Sequence, residues 1–316
     1  MEKNGLDTTY IRQLGPEYAS ARTAQYVAVN DAGKNLFTAM ADMAILTSHS
    51  FPTYWSSITN AIKPKWLVVD GNWSPKDIHN WIKAGGQNGA NVAFEPVSTA
   101  KAAGLFPKGH NLPLFPKVAI SLATPNQYEL AAMYSAAKEN GYMDSISWFK
   151  VIDAFGMHGG ARDRFARLTS PEMTDAGIPV QSVQLLPYIP TIITKVGDRG
   201  ALLTTILRPG DPRLFDAAHE RYILTRAPAG HPHVGGVYMR LYPAVERVGT
   251  PISVNGMGDT LLGTLVAGLA LGGRTEDLID VAQNAAVMTL KSHLSVSPDL
   301  GALGQKLLAA CGRETM

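Results

Sequence analysis

An α/β fold built around a mostly parallel sheet is what this sequence predicts, on three observations. Short buried-type runs at 66–70, 91–96 and 117–122 alternate with helix-length patterns, as strands joined by crossover helices do. Glycine, proline and small polar residues punctuate the junctions. Of 316 residues, 46% are apolar and 17% charged, values of a globular chain with a sizeable core.

Taken in order, residues 23–30 alternate like a strand, 31–34 read as a turn and 35–40 as a second strand. A hairpin this early is too small to form a layer and should cover something. Residues 1–42 are therefore assigned to a small β lid and its connection, and 43–316 to the α/β core. After the strand at 66–70, Ser74-Pro75 opens a helix with proline in its first turn, and Gly85-Gly86 closes it. Strands at 91–96 and 117–122 follow. Pro125 breaks the chain and a helix begins near Asn126. Residues 140–188 read as helices and loops, and 191–203 as strand, glycine turn, strand. Residues 208–250 are polar and proline-rich, with one strand at 237–241. A β-prone run at 252–254 leads into Gly256-Met257-Gly258-Asp259 and a long apolar helix that Gly272-Gly273 ends. A final helix spans 275–293, with Thr275 as its cap and Glu276 and Asp277 suited to its dipole.

The stretch 252–263 carries the chemistry. Glycines let backbone N–H groups converge on a small anion, and a helix start adds unpaired N–H groups and a positive dipole end. Asp259 stands at that same end. A carboxylate beside a nest of amides suits removal of a proton from an alcohol that attacks a phosphate. The alternative is a glycine turn before a helix with Asp259 as a first-turn cap. The stretch lacks the Gly-x-Gly-x-x-Gly dinucleotide spacing, and the chain has no Gly-x-x-x-x-Gly-Lys-Ser/Thr loop.

Ligands of parallel sheets bind beyond the carboxyl ends of the strands, where Asp70, Glu95, Thr124 and Asn126 fall. Asn126 and Glu129 lie one helical turn apart, so they can hold waters around magnesium or form a capping box. Lys195, before the Gly197–Gly200 turn, reads as a phosphate partner or as a solvated hairpin lysine. His219, His231 and His233 lack a completing ligand cluster and read as loop histidines.

Net charge is +2 with a single cysteine, Cys311. That gives no reason to invoke nucleic acid or a membrane surface, leaves no intrachain disulfide, and fits a reducing compartment. Residues 1–30 lack an apolar signal core, so a cytoplasmic protein is expected.

Asn255-Gly256-Met257-Gly258-Asp259 resembles the second signature of the PfkB (ribokinase-like) carbohydrate kinases, Asp-Thr-x-Gly-Ala-Gly-Asp, with Ser253 and Val254 in place of its Asp-Thr. Asn126-x-x-Glu129 matches the family's Asn-x-x-Glu motif, and Gly197 and Gly200 match its nucleotide hairpin. Glu95-Pro96-x-Ser98-x-x-Lys101 resembles the Glu-Pro-x-Ser-x-x-Lys segment of pseudouridine kinases, including the kinase half of fungal bifunctional proteins. The resemblance spans about 5–298. It implies a three-layer α/β/α sandwich with a β lid, lacking the family's first strand and its Gly-Gly sugar signature. Gly85-Gly86 mimics that signature by letters but follows a helix.

By that resemblance, Asp259 is the catalytic base and Gly256, Met257 and Gly258 form the anion hole. Asn126 and Glu129 organise Mg²⁺ and phosphate, Lys195, Gly197 and Gly200 hold ATP, and Asn284 and Met288 border the adenine. A monovalent cation is left open by the lost first aspartate. The implied activity is ATP-dependent phosphorylation of a sugar or nucleoside hydroxyl, with pseudouridine as the acceptor. The alternative is an impaired kinase that acts as a nucleotide-binding or interaction module, with dimerisation through the lid or an exposed sheet edge.

Overall fold

The computed structural model describes residues 7–16, 19–31, 36–48, 53–157 and 159–313. Its first sheet is the two-stranded hairpin of β1 (Gln25–Asn30) and β2 (Leu36–Asp42), paired antiparallel. Residues 32–34 of the turn expected at 31–34, and Asn35, lie outside the described residues. Helices α1 (Ala44–Ser48) and α2 (Thr53–Ile62) lead into the main body.

That body is a seven-stranded sheet of order β3-β4-β5-β6-β7-β9-β8. Its strands are β3 (Trp66–Asp70), β4 (Asn91–Glu95), β5 (Leu122–Ala123), β6 (Thr191–Lys195), β7 (Ala201–Leu207), β8 (Ile223–Arg226) and β9 (Gly236–Tyr242). β3 to β6 pair in parallel, while β6-β7, β7-β9 and β9-β8 pair antiparallel. The parallel half comes from strand–helix alternation and the antiparallel half from hairpin-type connections.

Successive strand residues face opposite layers. Val92 and Phe94 enter one core with Leu130, Met133 and Val183, whereas Ala93 enters the other with Leu261, Leu265 and Ile279. The first layer holds α3 (Pro75–Gln87), α4 (Thr99–Ala102), α5 (Gln127–Glu139), α6 (Ile146–Ala154), α7 (Ala161–Leu168), α8 (Pro171–Asp175) and α9 (Ile178–Leu185). After the short α10 (Ala217–Glu220), the second layer is α11 (Met257–Ala270), α12 (Thr275–Leu290) and α13 (Gly304–Ala310). The three-layer α/β/α sandwich is therefore present. No helix among the described residues is long and apolar enough to cross a membrane.

Several boundaries differ from the sequence reading. Helix α3 starts as expected, with Ser74 capping the Asp77 amide and proline in the first turn, but it runs through Gly85-Gly86 to Gln87. A Cβ at Gly85 would lie 2.8 Å from Val92 Cγ2 and 3.1 Å from Leu67 Cδ2, so Gly85 serves close helix–sheet packing rather than a stop. The strand expected at 117–122 contracts to Leu122–Ala123. Residues 252–254 form no strand; the Ile252 and Ser253 amides instead donate to Leu290 O. Thr275 is the first residue of α12 and not its cap, a position held by Arg274. Strand β8 lies in the stretch 208–250, where the sequence predicts a strand only at 237–241.

Candidate active site

Three chain segments converge at the carboxyl ends of β4, β5 and β6. Pro125 O accepts from the Lys195 amide at 2.8 Å, which joins the β5 exit to the end of β6. Arg199 Nη2 donates to Gln127 Oε1 at 3.2 Å and ties the β6–β7 turn to α5. The start of α11 completes the group. A Cβ on Gly258 would sit 3.1 Å from Lys195 Nζ and 3.8 Å from Glu95 Oε1.

The glycines at this helix start are required by geometry. Gly256 has φ +78°, and a Cβ there would lie 1.6 Å from Ser295 O, a separation no side chain tolerates. A side chain at 258 would press on the Lys195 ammonium. No side chain caps α11, so its first amides, those of Met257, Gly258 and Asp259, keep the unpaired donors of a helix terminus. Asp259 is exposed and makes no side-chain hydrogen bond or ion pair among the described residues. The capping alternative for Asp259 is thus not realised, and its carboxylate stays available beside the amides.

Asn126 and Glu129 behave differently. Asn126 Oδ1 accepts from the amides of Tyr128 and Glu129, at 2.8 and 3.0 Å, and Glu129 Oε2 accepts from the Asn126 amide at 2.7 Å. The capping box is complete and engages both lone pairs of the Asn126 oxygen, so Asn126 is no direct metal ligand. Glu129 retains its second oxygen. Burial pushes its pKa up, and Lys195 and the Asn126 amide pull it back. One free carboxylate oxygen fits a magnesium ion that keeps most of its own waters.

Lys195 is not a solvated lysine. Its Nζ lies 3.0 Å from Glu95 Oε1, with side chains 15% and 8% exposed. The other Glu95 oxygen accepts from Thr124 Oγ1 at 2.6 Å. Glu95 opens the Glu-Pro-x-Ser-x-x-Lys segment, which carries an unusual backbone. Val97 has φ +69° and the Ser98 amide donates to Pro96 O at 2.8 Å, a γ-turn of the strained hand. Strain of this kind gathers at functional sites. Ser98 caps the Lys101 amide, and Lys101 Nζ donates to Asn72 Oδ1 in the neighbouring β3 loop. Sequence patterning gave no signal for Val97 or for the Glu95–Lys195 pair.

A cavity of about 260 Å³ opens from Lys195 and Gly258 between the Gly197–Gly200 turn and α12. Met257 and Leu261 line its near side, and Gln283, Ala286, Val287 and Leu290 its far side. Asn284 and Met288, expected here, do not line it; Asn284 Nδ2 donates to Asp280 O within its own helix. A larger open groove, about 810 Å³, runs along β8 and α7 and contains none of the expected site residues. The loop histidines have local roles: His231 Nδ1 accepts from the amides of His233 and Val234.

No family model matches the chain. In solved structures the same architecture appears in a ribokinase of Cryptococcus neoformans in complex with ADP, with TM-score 0.52, 17% identity, and coverage of 90% of this chain and 71% of that one. A nucleoside kinase of Burkholderia thailandensis in complex with inosine gives TM-score 0.50 and 13% identity, with 92% and 69% covered. The chain has the ribokinase-like fold. A pseudouridine-metabolizing bifunctional protein of Schizosaccharomyces pombe is 30% identical over 307 residues, or 96% of this ribokinase-like chain. The chain spans 38% of that relative's length. The resemblance read from the signatures at Asn126, Gly197 and Gly256–Asp259 is borne out at the level of fold and relatives.

Proposed function

We propose that the chain is an ATP-dependent kinase of a sugar or nucleoside hydroxyl, with pseudouridine as acceptor and pseudouridine 5′-phosphate as product. The observation that carries this reading is the unpaired Asp259 carboxylate beside the uncapped start of α11, next to a partly apolar cavity of about 260 Å³. Asp259 takes the proton of the 5′-hydroxyl as its oxygen attacks the γ-phosphorus. The bond from that phosphorus to the ADP oxygen breaks, and the amides of Gly256, Met257 and Gly258 stabilise the charge gathering on the phosphoryl oxygens. The Gly197–Gly200 turn and the α12 wall hold the nucleotide. Magnesium, held through waters by Glu129, would screen phosphate charge when bound.

Pseudouridine is favoured among acceptors by the relative whose name contains it and by the Glu95–Lys101 segment. Ribokinases and the nucleoside kinase share the fold, which supports the wider acceptor class. The test is incubation of the purified chain with ATP and magnesium and, separately, pseudouridine, ribose and adenosine, with products read by mass spectrometry. Pseudouridine 5′-phosphate is expected. Nucleotide-induced thermal stabilisation without any phosphorylated product contradicts the kinase reading and favours a nucleotide-binding module. The exposed apolar hairpin residues Phe37 and Met40, 80% and 64% exposed, are what favour that second reading, in which the lid pairs with another copy.

A further inference from the structure

We infer that Lys195 and Glu95 form a preset clamp for the terminal phosphate of the nucleotide, with Lys195 Nζ making the contact and Glu95 as its positioning residue. The inference rests on the kinase reading and deepens it. A lysine is ordinarily a point charge on a flexible stem. Here both ends are fixed: the backbone amide donates to Pro125 O at 2.8 Å, and Nζ is 3.0 Å from Glu95 Oε1. Glu95 is itself held by wholly buried Thr124, through a 2.6 Å hydrogen bond. The ammonium therefore has a defined place before any ligand arrives, and ordering it adds little cost on binding.

That place is the start of α11. Nζ would meet a Cβ on Gly258 at 3.1 Å, closer than Glu95 Oε1 at 3.8 Å, so the cation lies against the uncapped first turn of α11. Lys195 also lines the cavity of about 260 Å³. An ammonium has three N–H donors; Glu95 takes one, and two have no acceptor among the described residues. A phosphoryl group at the α11 terminus would then meet helix amides and a fixed cation together. The α12 wall of the cavity offers Ala286, Val287 and Leu290 with Gln283, and none of these is a cation for a phosphate, so discrimination by the terminal phosphate should fall on Lys195.

The test compares ADP with the non-hydrolysable analogue AMP-PNP by calorimetry, in magnesium. Lys195→Met alone leaves a buried carboxylate unpaired, which endangers folding. The double variant Glu95→Gln/Lys195→Met removes both charges, keeps side-chain volume and leaves local net charge unchanged, so any lost preference reports the contact itself. It should weaken AMP-PNP by about 10- to 100-fold, as for a lost charge-assisted hydrogen bond, and leave ADP affinity and the melting temperature close to wild type. Glu95→Gln alone should lower the AMP-PNP preference, with no further loss when added to Lys195→Met where that variant folds. Equal weakening of both ligands, or unchanged AMP-PNP binding by the double variant, overturns the clamp while leaving the kinase reading intact. Wild-type protein that binds neither nucleotide overturns the kinase reading, and the clamp with it.

Discussion

The proposed nucleotide cleft and the β1–β2 hairpin are both rich in apolar residues, yet they use them in opposite ways. Around the cleft, Leu261, Leu262 and Leu265 are 6%, 3% and 0% exposed, whereas in the hairpin Tyr26, Phe37 and Met40 are 53%, 80% and 64% exposed. The cleft's walls are secondary structure packed against a covered sheet. The hairpin is a two-stranded sheet, an arrangement of marginal stability by itself. Its described tethers are polar and local, such as the exposed Arg22–Asp42 ion pair at 2.8 Å and the Ala44 amide on Asp42. On the proposed reading, phosphate chemistry falls to the packed region, and the exposed hairpin is left as a surface for an acceptor or a partner.

Substitutions can break that contrast. Leu265→Ala should destabilise the chain by about 2–5 kcal/mol, because it opens a cavity in a fully buried layer; a chemical denaturation midpoint close to wild type would show that the α11 layer is not integral. Gly256→Ala should cost at least about 1–3 kcal/mol of backbone strain, added to the overlap with Ser295 O, and should reduce nucleotide binding as the α11 start shifts. Retained AMP-PNP affinity in that variant would detach the amides from the phosphate site.

A pH effect should also map to the body rather than the hairpin. Burial pushes the His79 pKa below its ordinary 6.5, partly offset by the bond of Nε2 to Leu105 O and reinforced by nearby His110. The fold favours the neutral ring, so this contribution to stability should be full above about pH 6.5 and should be lost as pH drops through the lower folded value. His79→Gln should flatten the melting temperature against pH over that range. At the small end, Phe37→Ser should change stability by less than about 0.5 kcal/mol and improve solubility. A larger loss would mean that the hairpin is packed against something in solution.

What the sequence revealed, and what it hid, follows the range of the interactions. Ser74-Pro75, the Asn126 capping box and the Gly197–Gly200 turn are local devices within a few residues, and each was legible. Gly85-Gly86 misled because its role is set by Val92 and Leu67 across the layer. The strand at 117–122 shrank because β5 pairs with β4 only at Leu122 and Ala123 and with β6 only at Ala123. The Glu95–Lys195 pair joins residues 100 apart in sequence, and the γ-turn at Val97 places a β-branched residue where composition would never suggest one. Asn284 went astray by a rotation of one residue on α12, since Gln283 faces the cavity instead.

Asp259 should act in chemistry and not in binding. Parallel measurement of ATP affinity and of pseudouridine turnover for wild type and Asp259→Asn separates the two. The expected result is a near-normal dissociation constant with kcat lowered about 10²–10⁴-fold. Turnover that persists unchanged in Asp259→Asn would contradict the account.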